Sequence, residues 1–140
     1  MTIAIRMAGV EDASRIAVLL DQPGHPTESA EVATRLKYRL EDPHSMPMAA
    51  EAGGGVAGVA ALHALTLLEH TGRRGRLVAL VVDDRVRGRG IGRALMLAAE
   101  DHARRLGCRD MEITSARNRS AAHAFSTRRA TASAAVRRGS

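Results

Sequence analysis

The segment "LVALVVDDRVRGRGIGRALM", residues 77–96, passes without a break from an apolar run to three glycines and then into a helical pattern. Its first part belongs to the run "GRLVALVV", the pattern of a strand buried on both faces. Five residues intervene after Val82, and then come Gly88, Gly90 and Gly92, flanked by Arg87, Arg89 and Arg93. From about residue 90 to 106, helical spacing puts Leu95, Ala98, Ala99, His102 and Leu106 on one side. Arg104 and Arg105 in the last turn and Gly107 at the C′ position are the expected C-terminal signals.

This order of strand, glycine turn and helix decides how the arginines are read. A disordered arginine–glycine tract would lack the apolar periodicity on either side. A P-loop is excluded, because nothing after the glycines matches GK[ST]. A dinucleotide fingerprint fails by count: its third glycine would fall on Arg93 or on Leu95. What remains is a helix N-terminus with unpaired N–H groups and the positive end of the macrodipole. Glycines at 90 and 92 let an anion approach those groups, and Arg87, Arg89 and Arg93 add charge-assisted bonds to phosphate oxygens. The segment therefore reads as a pyrophosphate site.

Outward from it, "TIAIRM" alternates as a first strand, and "EDASRIAVLLDQ" follows at helical spacing up to Pro23-Gly24. Thr27 is the expected N-cap of a second helix carrying Val32, Leu36 and Leu40, which Asp42-Pro43 ends. "MPMAAEAGGGVAGVAALHALTLLEH" reads as two strands joined at Gly53-Gly54-Gly55. "RDMEITS" is a further strand and "SAAHAF" the start of a short helix. The predicted order is β-α-α-β-β-β-α-β-α, an α/β (α+β) domain with a mixed, mostly antiparallel sheet flanked by helices.

At 140 residues the chain is one domain with room for a core. With Tyr38 and Phe125 the only aromatics, that core must be aliphatic. The single cysteine, Cys108, excludes an internal disulfide framework and a cysteine-rich zinc site, and no metal is expected. No apolar run spans a bilayer and residues 1–20 lack a signal-peptide pattern, so a soluble cytoplasmic protein with no membrane partner is expected. The net charge of +6 is a property of the tail. All 15 acidic residues lie at or before Glu112, and six arginines follow without one, leaving 15 basic residues against 15 acidic ones through residue 112. That distribution, without aromatics for stacking, argues against a nucleic-acid partner.

Arg87-Gly88-Arg89-Gly90-Ile91-Gly92 matches R/Q-x-x-G-x-G/A, the signature of the GNAT (GCN5-related N-acetyltransferase) family. "LVALVVDD" resembles that family's fourth strand, and the element order resembles its fold over about residues 3–125. "LLDQPGHPTE" and "ALHALTLLEH" further resemble small members that acetylate aminoglycosides or aminoalkylphosphonates, without singling out a substrate. The resemblance implies direct transfer of acetyl from acetyl-CoA to a primary amine of a small molecule, in a ternary complex. It implies that the main chain of Leu80, Val81 and Val82 pairs with the pantetheine arm. A backbone N–H near Val82 would polarise the thioester. Arg87, Gly88, Arg89, Gly90, Ile91, Gly92 and Arg93 would hold the pyrophosphate, and Asn118, Ala121 and Phe125 would line the cosubstrate.

Three positions depart from the family pattern. Ala79 stands where several members carry a glutamate base, which leaves Glu112, or else His63, to act through water. Glu69 and His70, in an expected loop, are weaker candidates, and Cys108 reads as a small buried residue. Ser126 stands where a tyrosine usually donates the proton to the leaving thiolate. The family's closing strands are not legible after Ser126, so residues 1–126 read as the acetyl-CoA-binding domain and residues 127–140 as an atypical basic tail. Loss of apolar period, with cations and no acids, suggests an out-of-frame continuation there. These departures leave an acyl-CoA-binding protein with little turnover as the alternative. A missing sheet edge also makes a homodimer expected.

Overall fold

A computed structural model of the chain describes residues 2–22, 24 and 27–113. Its elements run β1 (Ala4–Met7), a 3-10 turn (Val10–Asp12), α1 (Ala13–Asp21), α2 (Ser29–Glu41), β2 (Ser45–Ala52), β3 (Gly55–Thr66), β4 (Arg73–Val82), a second 3-10 turn (Asp84–Val86), α3 (Ile91–Arg105) and β5 (Cys108–Ile113). The five strands lie in the order β1-β2-β3-β4-β5. The first three pairings are antiparallel and β4–β5 is parallel, which requires the α3 crossover between them. The mixed sheet expected from the sequence is present. The expected short helix at "SAAHAF" lies outside the described residues.

Period-two alternation divides the sheet between two helical layers. Met48, Ala60, Leu62 and Leu77 pack with Ile91, Leu95, Met96 and Ala99 of α3. Ala49, Val56, Val59 and Val81 pack on the other face with Ile16 and Leu19 of α1 and Val32 and Leu36 of α2. Many of the sheet positions are alanine, so the helices lie close and an aliphatic core suffices. Gly58 marks the close approach of β3 and α3: a Cβ there would stand 2.9 Å from Ile91 Cγ2 and 3.0 Å from Leu95 Cδ1.

Some expectations shift in detail. α2 begins at Ser29 with Glu28 at the N-cap, so Thr27 precedes the cap position. The buried line of α3 is Ile91, Leu95, Met96, Ala99, Glu100 and Ala103, while Ala98, His102 and Leu106 are half-buried. The helix turns the row 91/95/99/103 to the sheet, a slight rotation from the face expected. β4 starts earlier, at Arg73, and is not buried throughout. Leu77 and Val81 are enclosed, whereas Val78, Ala79, Leu80 and Val82 are half-buried. The cause is a bulge: Ala79 pairs with Ala61 but Leu77 with Leu62, so Val78 is an extra residue. Side chains on the two sides of Val78 therefore cannot keep one alternation.

Candidate active site at the end of the fourth strand

Beyond the bulge, β4 is bonded on its β3 side only among the described residues. β5 runs beside it from Arg73 to Leu77, and among the described residues nothing pairs with its β5 side from Val78 to Val82. The direction of the free groups follows from the ladder. Asp83 N–H donates to Ala57 O at 2.8 Å, so Asp83 faces β3. Main-chain groups alternate along a strand, hence those of Val81 and Ala79 also face β3, and those of Val82 and Leu80 face the open side. Of the three residues expected to offer main-chain groups, Leu80 and Val82 point outward, and Val81 lies in the ladder opposite Val59.

The open edge leads straight to the glycine turn. Gly88 and Gly90 take φ values of +79° and +86°, the left-handed region that side chains resist. Nothing lies within 4 Å of a Cβ built on either, so both face open space. Gly92 is an ordinary helical residue, where a Cβ would meet only Val82 Cγ2 at 3.6 Å. Gly90 is the N-cap of α3 and no side chain caps the helix. The first intrahelical bond runs from Ala94 N–H to Gly90 O at 2.9 Å, so the N–H groups of Ile91, Gly92 and Arg93 are left for a ligand.

The arginines are not equivalent. Arg85 pairs with Asp83 at 3.0 Å and Arg87 with Asp84 at 2.8 Å. Arg89 and Arg93 are exposed, with no hydrogen bond or ion pair among the described residues. Free donors, open glycines and an uncapped helix fit a diphosphate, and the open edge of β4 fits an extended amide-bearing arm.

Asp83 fixes this turn to the rest of the fold. It is buried, 3% exposed, and accepts from Arg15, Arg85, Gln22 and the Arg85 N–H. Arg15 also donates to Val56 O at 2.9 Å, and Gln22 Oε1 accepts from Asp84 N–H at 3.0 Å. Arg85, then its N–H, Gln22 and Arg15, hold the Asp83 carboxyl well below the usual carboxylate range against the opposing effect of burial. Sequence reading passed over this clamp. Its one signal was the acid directly after a long apolar strand.

The acceptor candidates separate. Glu112 lies on β5 opposite Arg76, and Arg76 Nε donates to it at 2.8 Å. His63 lies on β3, paired with Arg76 on one side and Ser45 on the other. Glu69 and His70 fall in the β3–β4 connection, and Cys108 is buried. Ala79 sits opposite Ala61. Asn118, Ala121, Phe125 and Ser126 lie outside the described residues. Among the described residues, no group of three or more His, Cys, Asp and Glu could hold a metal ion, and no helix is long and apolar enough to cross a membrane.

Comparison with known proteins bears on the family and the fold. Residues 12–130 match the model of the acetyltransferase (GNAT) family. A search of curated protein sequences gives no match. Among solved structures, a GNAT family acetyltransferase from Staphylococcus aureus superposes with a TM-score of 0.74 at 23% identity, covering 85% of this chain and 90% of that one. A transcriptional regulator from Bacillus halodurans gives 0.80 at 20% identity, with 91% of each chain covered. An aminoglycoside N-acetyltransferase in complex with CoA gives 0.75 at 19% identity, covering 91% of this chain and 86% of that one. At these identities the likeness concerns the fold.

Proposed function

The chain belongs to the GNAT acetyltransferase family, and from that premise we propose that it transfers acetyl from acetyl-CoA to a primary amine of a small molecule. Attack is direct, with both substrates bound. The supporting observation is the continuity of the β4 edge, open among the described residues, with the uncapped N-terminus of α3. Arg89 and Arg93, with the N–H groups of Ile91, Gly92 and Arg93, hold the pyrophosphate. Arg87 contributes once it releases Asp84, and Gly88 and Gly90 keep the approach clear. Leu80 and Val82 pair with the pantetheine amides, and an outward N–H at this edge stabilises the developing oxyanion. Asn118, Ala121 and Phe125 are proposed to complete the cosubstrate site.

A second reading is favoured by two particular residues. Ala79 carries no base, and Ser126 is a poor proton donor compared with a phenol. An acyl-CoA-binding protein with little turnover would have this pattern. Calorimetric titration with acetyl-CoA, followed by a screen of amines for release of free thiol, separates the two. Binding with turnover supports the transferase, binding without turnover supports the second reading, and no binding defeats both. Placement in the cytoplasm and a homodimer remain parts of the proposal. A monomer by light scattering at micromolar concentration would count against the dimer.

A further inference from the structure

The cavity next to the Val78 bulge has an acid–base pair that the family signature does not contain. It is an open cleft of about 280 Å³, lined by Tyr38, Arg39 and Asp42 around the end of α2, Ser45 of β2, His63 of β3 and Val78 of β4. Asp42 Oδ2 lies 3.9 Å from His63 Nδ1, and Asp42 Oδ1 accepts from the His44 N–H at 2.9 Å. Arg39 Nη1 donates to Ser45 Oγ at 3.1 Å. Tyr38 is 68% exposed, an unusual setting for one of the two aromatic residues of the chain.

Position relates this cavity to the glycine turn. A chain running back along β4 from Val82 reaches Val78 after four residues, roughly 13 Å at a rise of about 3.3 Å per residue. An extended arm anchored at the turn thus ends beside the cavity. The bulge turns Val78 toward the α2 side, so the wall of the cavity and the open edge of β4 meet at one residue.

We infer that this cavity receives the acceptor, with His63 as the base that takes the ammonium proton and Asp42 holding its imidazole. The inference rests on the transferase reading above. In the acceptor complex Asp42 closes the remaining distance to Nδ1, which holds the proton there and presents Nε2 to the ammonium. A proton passes from the ammonium to Nε2, and the amine lone pair then forms a bond to the thioester carbonyl carbon. The carbon–sulfur bond breaks, the thiolate leaves with its electron pair, and the second proton lost by nitrogen neutralises it. The imidazolium returns its proton to water. Tyr38 and Val78 form the wall for the rest of the substrate, which selects a compact primary amine with an apolar or aromatic body. Glu112, tied to Arg76, is not the base.

Phenethylamine is the probe, with the full chain. Wild type is expected to acetylate it. His63→Ala is expected to lower kcat about 100-fold, the usual worth of a positioned base, with the Kd of acetyl-CoA unchanged and activity restored by added imidazole. Asp42→Asn is expected to lower kcat in the same direction by a smaller factor with the Kd of acetyl-CoA unchanged, and Tyr38→Ala to weaken phenethylamine binding to the CoA-loaded protein, read by calorimetry. Acetyl-CoA binding with no acetylation of phenethylamine, or with kinetics unaltered by His63→Ala, overturns this inference alone. Absence of acetyl-CoA binding overturns the transferase reading and this inference with it.

Discussion

The two halves of β4 are built for different neighbours. From Arg73 to Leu77 the strand is basic and paired on both sides, and Arg74 and Arg76 carry its β5 contact outward as ion pairs to Asp110 and Glu112. From Val78 to Val82 it is apolar, and its β5 side is open among the described residues. One half closes the sheet with side-chain charge. The other keeps main-chain donors and acceptors available and delivers them to a helix N-terminus. Val78, the bulged residue, is the boundary. The bulge itself lies in the β3–β4 ladder, and the described β5 partners of β4 run as far as Ile113, opposite Leu77.

Breaking the open half should have the largest effect. Replacing Arg89 and Arg93 together by alanine removes two guanidinium groups that are unpaired among the described residues. Calorimetry is expected to show acetyl-CoA binding weaker by about 100-fold or more, at about 1.5–3 kcal/mol per charged hydrogen bond. Thermal stability should not change, because neither side chain has a partner among the described residues. An unaltered Kd would place the diphosphate elsewhere.

Asp83→Asn tests the clamp that holds the open half in place. Stability at pH 7 should fall by about 3 kcal/mol, the scale for breaking a buried ion pair. Asp83 titrates lower in the folded chain than in the unfolded one. Its contribution is therefore complete above the unfolded value near 4 and is lost as pH falls from there toward the folded value. Denaturant unfolding should show the gap between wild type and variant shrinking below about pH 4. A gap that stays constant down to pH 2 would remove Asp83 ionisation from the account.

Gly90→Ala forces a side chain into the left-handed region at about 1–2 kcal/mol. Acetyl-CoA affinity is expected to drop several-fold to about 10-fold, with a modest fall in Tm. The smallest effect belongs to the closed half. Glu112→Gln breaks an exposed pair with Arg76, so thermal unfolding should reveal a change within about 1 kcal/mol and acetyl-CoA should bind as before. A large loss of kcat in this variant would restore Glu112 as the base.

These contrasts explain how far the sequence could be read. The glycine spacing, the apolar strand and Gly107 fixed the strand–turn–helix unit, because backbone sterics and period act locally. Gly107 does adopt the left-handed φ of +79° that a C′ glycine supplies. The bulge at Val78 was not legible, since it depends on β3 supplying one residue fewer opposite. Arg15, Gln22 and Asp83 meet across more than 60 residues of chain, and Asp42 meets His63 across 21, so no local pattern marks either group. Charge in the closed half was equally hidden. Arg74 and Arg76 look like solvated residues until β5 brings Asp110 and Glu112 beside them.

Amide hydrogen exchange, measured with and without acetyl-CoA, tests the difference between the halves most directly. Leu80, Val82, Ile91, Gly92 and Arg93 are predicted to gain protection on binding, while Arg74 and Arg76 stay unchanged. Equal protection along the whole of β4, or none at Leu80 and Val82 under saturating acetyl-CoA, would contradict the account.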